Sequence, residues 1–517
     1  MQGARLIKIA VIGLIAAAVF YACTRTFVDL DLWWHLRLGL DFLKAMHVSF
    51  TEPYSFLTGH QKVIIHELFS DCAMAMAYQL GGWTGLVLLK TAVVCVLLGL
   101  MVKFLNGLKA DFIFTGISVL IVSIFLGPAT NVVRPHMFTC TLLTALFLML
   151  RSAKERPNVL WFSPLLFALW VNVHGGFIVG LVTYFTWTLF ATIFYRDAKQ
   201  LKITAWSTLV VSAIALCINP YGMDLPSIVF HVALMPHPGI AEWQPMELVT
   251  SFGLLWGLTV IVSIVALSLT KQPRDIPRII VWLAFAAAPL VSVRHIQFFG
   301  LATIYMIGEH LLSLWQMRAT KTPTENSTQK LGAVDYGFVA ISGVIALVIS
   351  VLAIGNFYSP KYVMDQTIPQ TAVGILKKIG AKGNMVVDFD WGAFVFWHLS
   401  PDVKVSFDSR REFAYSDAAS LANYVFFSGI GPWDYLLRYY KIDIVLVHTH
   451  SPAYSLMKTL PNWKDCFEDG EAALFFPSDS PMVAKTEQLT GEKSDIYYKD
   501  FGHKASVSLK QLDAPLF

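Results

Sequence analysis

The chain has 517 residues, 56% hydrophobic and only 14% charged, with a mean hydropathy of +0.58. Soluble domains carry about 25% charged residues, so a chain solvated mainly by water is excluded. The net charge of +4 is spread along the sequence without a basic block, which excludes nucleic acid as a partner.

Near the N-terminus, Arg5 and Lys8 precede an apolar run from Ile9 to Cys23. It begins like a signal peptide, yet no small-x-small cleavage site follows, and it is read as an uncleaved first transmembrane helix at 6–24. A span needs roughly 20 apolar residues, or somewhat fewer where the bilayer thins. Further spans are expected at 83–103, 112–128, 136–150, 159–173, 177–195, 203–218, 247–269, 279–293, 296–317 and 335–355, about eleven in all. With the N-terminus cytoplasmic, the inner segments hold 16 Lys and Arg in 58 residues and the outer ones 6 in 91. That asymmetry fixes the orientation and puts residues 356–517 outside.

Histidine sorts the same way. Of ten histidines before residue 356, nine (His35, His47, His60, His66, His136, His174, His231, His237 and His295) fall in or beside outer segments, and His310 lies within a span. Ionisable groups at membrane depth generally face a cavity and mark function.

The first outer loop, 25–82, opens with Val28-Asp29-Leu30-Asp31-Leu32-Trp33-Trp34-His35. Two carboxylates at this spacing can share a cation, or one can act as a base that the other orients. From Leu32 to Met46 the pattern is an amphipathic helix, with Trp33, Leu36, Leu40 and Leu43 on one stripe and Arg37, Asp41 and Lys44 on the other. Trp33 and Trp34 are expected to anchor it at headgroup depth. A second helix is expected from His66-Glu67 to Leu80, broken at Gly81-Gly82 before the next span.

Each later outer turn carries a compact polar motif: Arg134-Pro135-His136, Asn172-Val173-His174-Gly175-Gly176, Asn219-Pro220-Tyr221-Gly222, Glu242-Trp243 and Arg294-His295. The prolines and glycines read first as turn chemistry. Arg134 and Arg294 are the only basic residues of these short turns. Guanidinium forks suit a lipid-phosphate leaving group, and pairing with Asp29, Asp31, Glu67 or Glu242 is compatible with that role. The cofactor is left open. Asp29, Asp31, His35 and His66 lead the candidates for a divalent metal ion, with Glu67, His136, His174 and His295 as further N/O donors, but no HExxH or paired CxxC spacing fixes zinc.

Residues 318–334 read as a polar cytoplasmic linker, so the Asn326 sequon lies on the wrong face to be glycosylated. Beyond 356 the composition becomes that of a soluble domain. Strands are expected at Met385–Phe389, Val403–Phe407, Ile442–Val447 and Ala472–Phe476, with helices at 369–379, 416–427, 432–440 and 451–460, which is a small α/β domain. Cys466 alone lies there, so no internal disulfide framework is expected. Asp408 and Arg410 read as an ion pair or as part of an acceptor groove. The domains are therefore 1–355, membrane, with the first outer loop, and 356–517, outer-face α/β.

Asp29-Leu30-Asp31-Leu32-Trp33-Trp34-His35-Leu36-Arg37, His66-Glu67, Arg134-Pro135-His136, Trp170 to Gly176, Asn219 to Gly222, Glu242-Trp243-Gln244-Pro245, Arg294-His295, Asp390-Trp391-Gly392 and Phe407-Asp408-Ser409-Arg410 occur in that order. This set resembles a large group of bacterial membrane proteins related in layout to the GT-C glycosyltransferases. The resemblance implies a polytopic inner-membrane enzyme that takes a polyprenyl-phosphate-linked sugar and transfers it, with inversion, to an outer-face acceptor that is a protein, lipid or glycan. Asp29 or Asp31 would then be the general base, and Arg134 and Arg294 would stabilise the departing phosphate. His35, His66, Glu67, His136, Asn172, His174, Glu242 and His295 would line the substrate site. The second acidic motif of metal-dependent members is missing, since Glu242 stands alone. Two other readings stay open: a lipid or glycan transporter or flippase, and a non-catalytic membrane assembly protein.

Overall fold

A computed structural model of the chain describes residues 2–26, 29–58, 63–235, 240–319, 333–358 and 368–491. His60, His237, Asn326 and nearly all of the linker read at 318–334 lie outside the described residues. In chain order the first helices are α1 (Gln2–Thr24), α2 (Leu32–Ala45), α3 (Leu68–Gly107), α4 (Phe112–Phe125), the single turn α5 (Gly127–Thr130), α6 (His136–Ser152) and α7 (Ser163–Trp170). They are followed by α8 (Phe177–Phe194), α9 (Lys199–Ala215), α10 (Asp224–Leu234), α11 (Ser251–Leu269), α12 (Ile276–Ala287), α13 (Ile296–Ala319) and α14 (Ala333–Tyr358). A helix lies over every expected span, and α10 is an added one. Among the described residues four segments, Leu68–Gly107, Phe177–Phe194, Ser251–Leu269 and Val293–Met317, are long and apolar enough to cross a membrane by length and composition. The chain is a multi-pass membrane protein.

It divides into two compact units. The first comprises Met1–Phe27, His66–Ser70 and Ala77–Lys361; the second comprises Val28–Ile65, Asp71–Met76 and Tyr362–Phe517.

Within the first unit α13 is the central helix. The Val293–Met317 span is 72% buried, against 17% for Ser251–Leu269, and α13 packs against α4, α6, α11 and α12. Gly300 permits this, since a Cβ there would meet Phe125 at 3.0 Å. By contrast Leu254, Leu258, Ile261 and Leu269 of α11 are exposed. Leaving such a side chain in water forgoes roughly 1.5–3 kcal/mol of burial, a penalty that hydrocarbon removes. The break expected at Gly81-Gly82 is there: both residues leave helical geometry and divide α3 into two helical runs, with Gly82 at φ 54° and ψ −137°, which only glycine adopts without strain. At one end of this bundle Glu309 of α13 accepts from Arg151 of α6 at 2.8 Å and from Arg278 of α12 at 2.7 Å. Asp275, which also contacts Arg278, accepts from Tyr195 just after α8. These ionic groups satisfy one another where lipid could not.

The second unit contains a five-stranded sheet of order β2-β1-β3-β5-β4, with β1 Gly383–Val387, β2 Val403–Val405, β3 Ile444–His448, β4 Trp463–Glu468 and β5 Ala472–Pro477. β2, β1 and β3 are parallel; β5 runs antiparallel to β3 and β4. β4, with the polar sequence Trp463-Lys464-Asp465-Cys466-Phe467-Glu468, is the strand that hydrophobic patterning misses, being an edge with little buried surface. Helices α15 (Gln370–Lys378), α16 (Phe389–Leu399), α17 (Asp417–Ser428), α18 (Tyr435–Tyr439), α19 (Pro452–Met457) and α20 (Pro481–Gly491) complete it. Two motifs of this region explain each other: a Cβ on Gly392 would lie 1.9 Å from the Phe407 carbonyl oxygen, so Asp390-Trp391-Gly392 and Phe407-Asp408 are in direct backbone contact.

The first-loop residues of this unit are woven into it. Val405 donates to the Tyr54 carbonyl and Phe56 donates to the Val405 carbonyl, at 2.9 and 3.2 Å, extending the sheet edge at Ser55. α2 is the helix expected, but Trp33 and Trp34 are buried in protein rather than exposed to headgroups. Trp33 meets the Phe394 ring edge-on at 5.2 Å and lies beside Trp397 and His398. The expectation failed because α16, which supplies that surface, lies 350 residues away in the chain, roughly, and leaves no local signal.

Asp408 and Arg410 do pair, but with a third partner. Arg410 donates to Asp408 at 2.8 and 2.7 Å and to Glu52 at 2.6 and 3.0 Å, all of it buried. Tyr415 donates to the same Asp408 carboxylate. Burial alone would lower the Arg410 pKa, and the Asp408 and Glu52 carboxylates lift it well above its ordinary value. Removing the guanidinium strands two buried carboxylates. Arg410→Met is expected to cost about 3–5 kcal/mol, read as a lower denaturation midpoint with faster proteolysis of the 46–58 segment. Arg410→Lys should recover little of it, since one ammonium cannot replace two bidentate contacts.

Candidate active site

In the first unit, turns far apart in sequence bring their polar side chains together. Glu67 sits at the N-cap of α3 and is 5% exposed. Its carboxyl lies 3.6 Å from His66 Nε2 and 3.4 Å from His174 Nε2, His174 being in the turn between α7 and α8. The backbone fixes this meeting: Phe69 N–H donates to the Asn172 carbonyl at 2.9 Å, and the Ser70 hydroxyl donates to the Val173 carbonyl. Asn172 uses its amide on the Ala168 and Ile218 carbonyls, at 2.8 and 2.7 Å, tying its turn to the end of α9.

Burial sets the protonation of this group. It raises the Glu67 carboxyl to about 8, against a smaller downward pull from Arg294. It lowers His66 to about 3. His174 is held well below its ordinary value by burial and then by the neighbouring His136 and Arg294. Near pH 7 these are therefore contacts between largely uncharged groups, with desolvation outweighing charge.

Beside them, one carboxylate faces two guanidiniums. Glu242 lies 3.4 Å from Arg134 Nη1 and 4.0 Å from Arg294 Nη1. Arg294 also sits over the Trp243 ring, 4.1 Å from its centroid, and the Ser292 hydroxyl donates to the Glu242 carbonyl at 3.0 Å. Both guanidiniums carry forked donors of the kind that suit a phosphate. Pairing with Glu242 thus proves to be where both arginines are held. His136 and His295 contact nearby backbone oxygens, Pro128 at 3.1 Å and Ser292 at 3.2 Å, and the His136 ring lies 6.4 Å from that of His174.

Asp29, Asp31 and His35 belong to the second unit. Asp29 Oδ1 accepts from the Asp31 N–H at 2.9 Å, and the Leu32 N–H donates to the Asp29 carbonyl, which starts α2. His35 is buried, with Nδ1 2.6 Å from Asp71 Oδ1, and its ring lies against that of Trp34, tilted by 33°. α2 comes this close because residue 39 is glycine: a Cβ there would lie 2.2 Å from the Asp71 carbonyl oxygen. Asp71 was missed from sequence. Its one signal is a carboxylate in the otherwise apolar stretch Leu68–Leu80. Thr139 and Trp243 were also missed as site residues, since their contacts with His174 and Arg294 are made only by packing.

No family model and no curated protein matches the chain. Among solved structures it is similar to the oligosaccharyltransferase of Archaeoglobus fulgidus. Against the apo form the TM-score is 0.56 at 12% identity, covering 85% of this chain and 69% of that one. Against the form tethered by a disulfide bond to an acceptor peptide containing the NVT sequon, the TM-score is again 0.56, at 13% identity over the same shares. The fold is like that of this oligosaccharyltransferase. At this identity the likeness is one of architecture, a helical membrane part and a C-terminal mixed α/β part, and the site residues rest on their own geometry.

The raised Glu67 carboxyl has a signed consequence. Its folded value of about 8 lies above the ordinary 4.5, so between those pH values the folded chain holds a proton that the unfolded chain has lost. Stability therefore falls as pH rises through that window. In thermal unfolding, Glu67→Gln should gain on the wild type progressively from about pH 4.5 to about pH 8 and then level off. A pH-independent difference would place the carboxyl at its ordinary value.

Proposed function

We propose that this protein is a membrane glycosyltransferase that moves a sugar from a polyprenyl-phosphate carrier to an acceptor at the outer face of the bacterial inner membrane. The observation that carries the reading is the pair of arginines, Arg134 and Arg294, held on one carboxylate at the histidine-bearing end of a GT-C-like bundle. A transporter would favour groups near the bilayer midplane on broken helices. The polar cluster described above lies instead at helix ends and in turns.

In the transfer, the bond between the sugar's anomeric carbon and the carrier phosphate oxygen breaks as the acceptor attacks from the opposite side. The acceptor proton passes to the carboxylate of Asp29 or Asp31, and negative charge grows on the departing phosphate. Arg134 and Arg294 answer that charge with donors already in place, which is the most effective form of electrostatic catalysis. If a divalent cation takes part, Asp29 and Asp31 would supply hard oxygen donors, and the His35 imidazole beside them is oriented through Nδ1 by Asp71.

The test is transfer by the purified protein from polyprenyl-phosphate sugars. Replacing the base, by Asp29→Asn or Asp31→Asn, should lower kcat about 10²–10⁴-fold for one of the two. Arg134→Gln and Arg294→Gln should each lower it about 10²–10³-fold, with helical content and elution volume unchanged. Transfer that survives all four substitutions removes the assigned roles. A wild-type protein inert toward every lipid-linked sugar supports an assembly role instead.

A further inference from the structure

His174 is held by more than its contact with Glu67. Its Nδ1 accepts the backbone N–H of Gly176 at 2.9 Å. A backbone hydrogen cannot be turned away, so in the neutral ring the proton must reside on Nε2. Nε2 is the atom that faces Glu67, at 3.4 Å. The Thr139 hydroxyl also lies 2.8 Å from Nδ1. Thr139 Oγ1 in turn accepts from Trp170 Nε1 at 2.9 Å, which directs the threonine proton toward the imidazole. Both Thr139 and Trp170 are fully buried.

Two glycines make room for this chain of contacts. A Cβ on Gly176 would lie 2.6 Å from Thr139 Oγ1 and 2.8 Å from His174 Nδ1, and a Cβ on Gly180 would lie 2.4 Å from the Trp170 ring. Gly176 has ordinary helical φ, at −62°, so turn conformation does not require it. Space does. The His174-Gly175-Gly176 motif, read from sequence as turn chemistry, is at Gly176 a packing requirement of the imidazole.

We propose that Thr139, Trp170 and the Gly176 amide are positioning groups that lock His174 as the Nε2–H tautomer and aim that N–H at Glu67. The lock gives the Glu67 carboxyl a fixed donor on one side, so its remaining lone pairs and any proton it carries point in one direction. This rests on the transferase reading only in placing Glu67 among the substrate-facing groups. The tautomer itself is independent of any activity.

The experiment uses the full chain in lipid nanodiscs, labelled with ¹⁵N-histidine, the His174 resonances being identified by their loss in His174→Gln. The wild type should show a pyridine-type Nδ1 and a pyrrole-type Nε2. Thr139→Ser should keep this pattern; Thr139→Val, and Trp170→Phe, which keeps the ring against Gly180 and removes only the N–H, should keep the Nε2–H tautomer that the Gly176 amide imposes but move the Nδ1 resonance, as that nitrogen loses or loosens its second donor. In the transfer assay Thr139→Val should lower kcat about tenfold with KM unchanged, and Thr139→Ser should restore it. A wild-type ring protonated on Nδ1, or Thr139→Val and Trp170→Phe rings identical to wild type, overturns the proposal. Confirmed tautomers in a protein without transferase activity would sink the proposed function and leave the lock intact.

Discussion

A hydrogen-bonding side chain set among apolar helices must find its partner inside the protein, because hydrocarbon offers none. The first unit is organised by that constraint at both ends of its helices. At one end Glu309 collects Arg151 and Arg278. At the other Glu242 collects Arg134 and Arg294, while Glu67 and His174 face each other out of water. Each pairing joins elements that chain connectivity alone would leave free to slide. Around Glu309, Asp275 adds a second carboxylate; around Glu242, Arg134 and Arg294 approach one carboxylate at 3.4 and 4.0 Å.

The second unit uses the same logic to hold a loop. Residues 52–56 are fixed by Tyr54 stacked on Phe396, by an extended-strand contact at Val405 and by Arg410 gripping Glu52. His35 stands on, and Asp29 and Asp31 immediately precede, a helix whose buried face, Trp33 and Leu36, belongs to this framework. Their positions therefore depend on α16 as well as on the loop that bears them.

The helices were legible because apolar runs report burial or lipid directly. So was the polar cluster of the first unit, because Glu67, His174, Arg134, Glu242 and Arg294 are costly in such surroundings and each lay in a turn on the same side of the count. What could not be read was the identity of partners. Trp33 looked like an interfacial anchor because its ligating surface, Phe394, is remote in sequence. Thr139 looked like one more helical threonine, and its bond to His174 is a property of packing alone. Gly176 and Gly392 were legible as glycines but not as the gaps they leave for an imidazole and for a carbonyl oxygen. β4 was invisible because an edge strand with charged residues lacks the alternation that patterning needs.

In the proposed reaction, two guanidinium groups sharing one carboxylate read the phosphate of a lipid carrier. This recognition is tested most directly by binding, without turnover: the affinity of the purified protein for a polyprenyl phosphate against the polyprenol of the same length. The phosphate should bind the wild type markedly more tightly, and that preference should shrink in Arg134→Gln and Arg294→Gln while polyprenol binding stays constant. Equal affinity for the two lipids, or a phosphate preference untouched by both substitutions, would contradict the account.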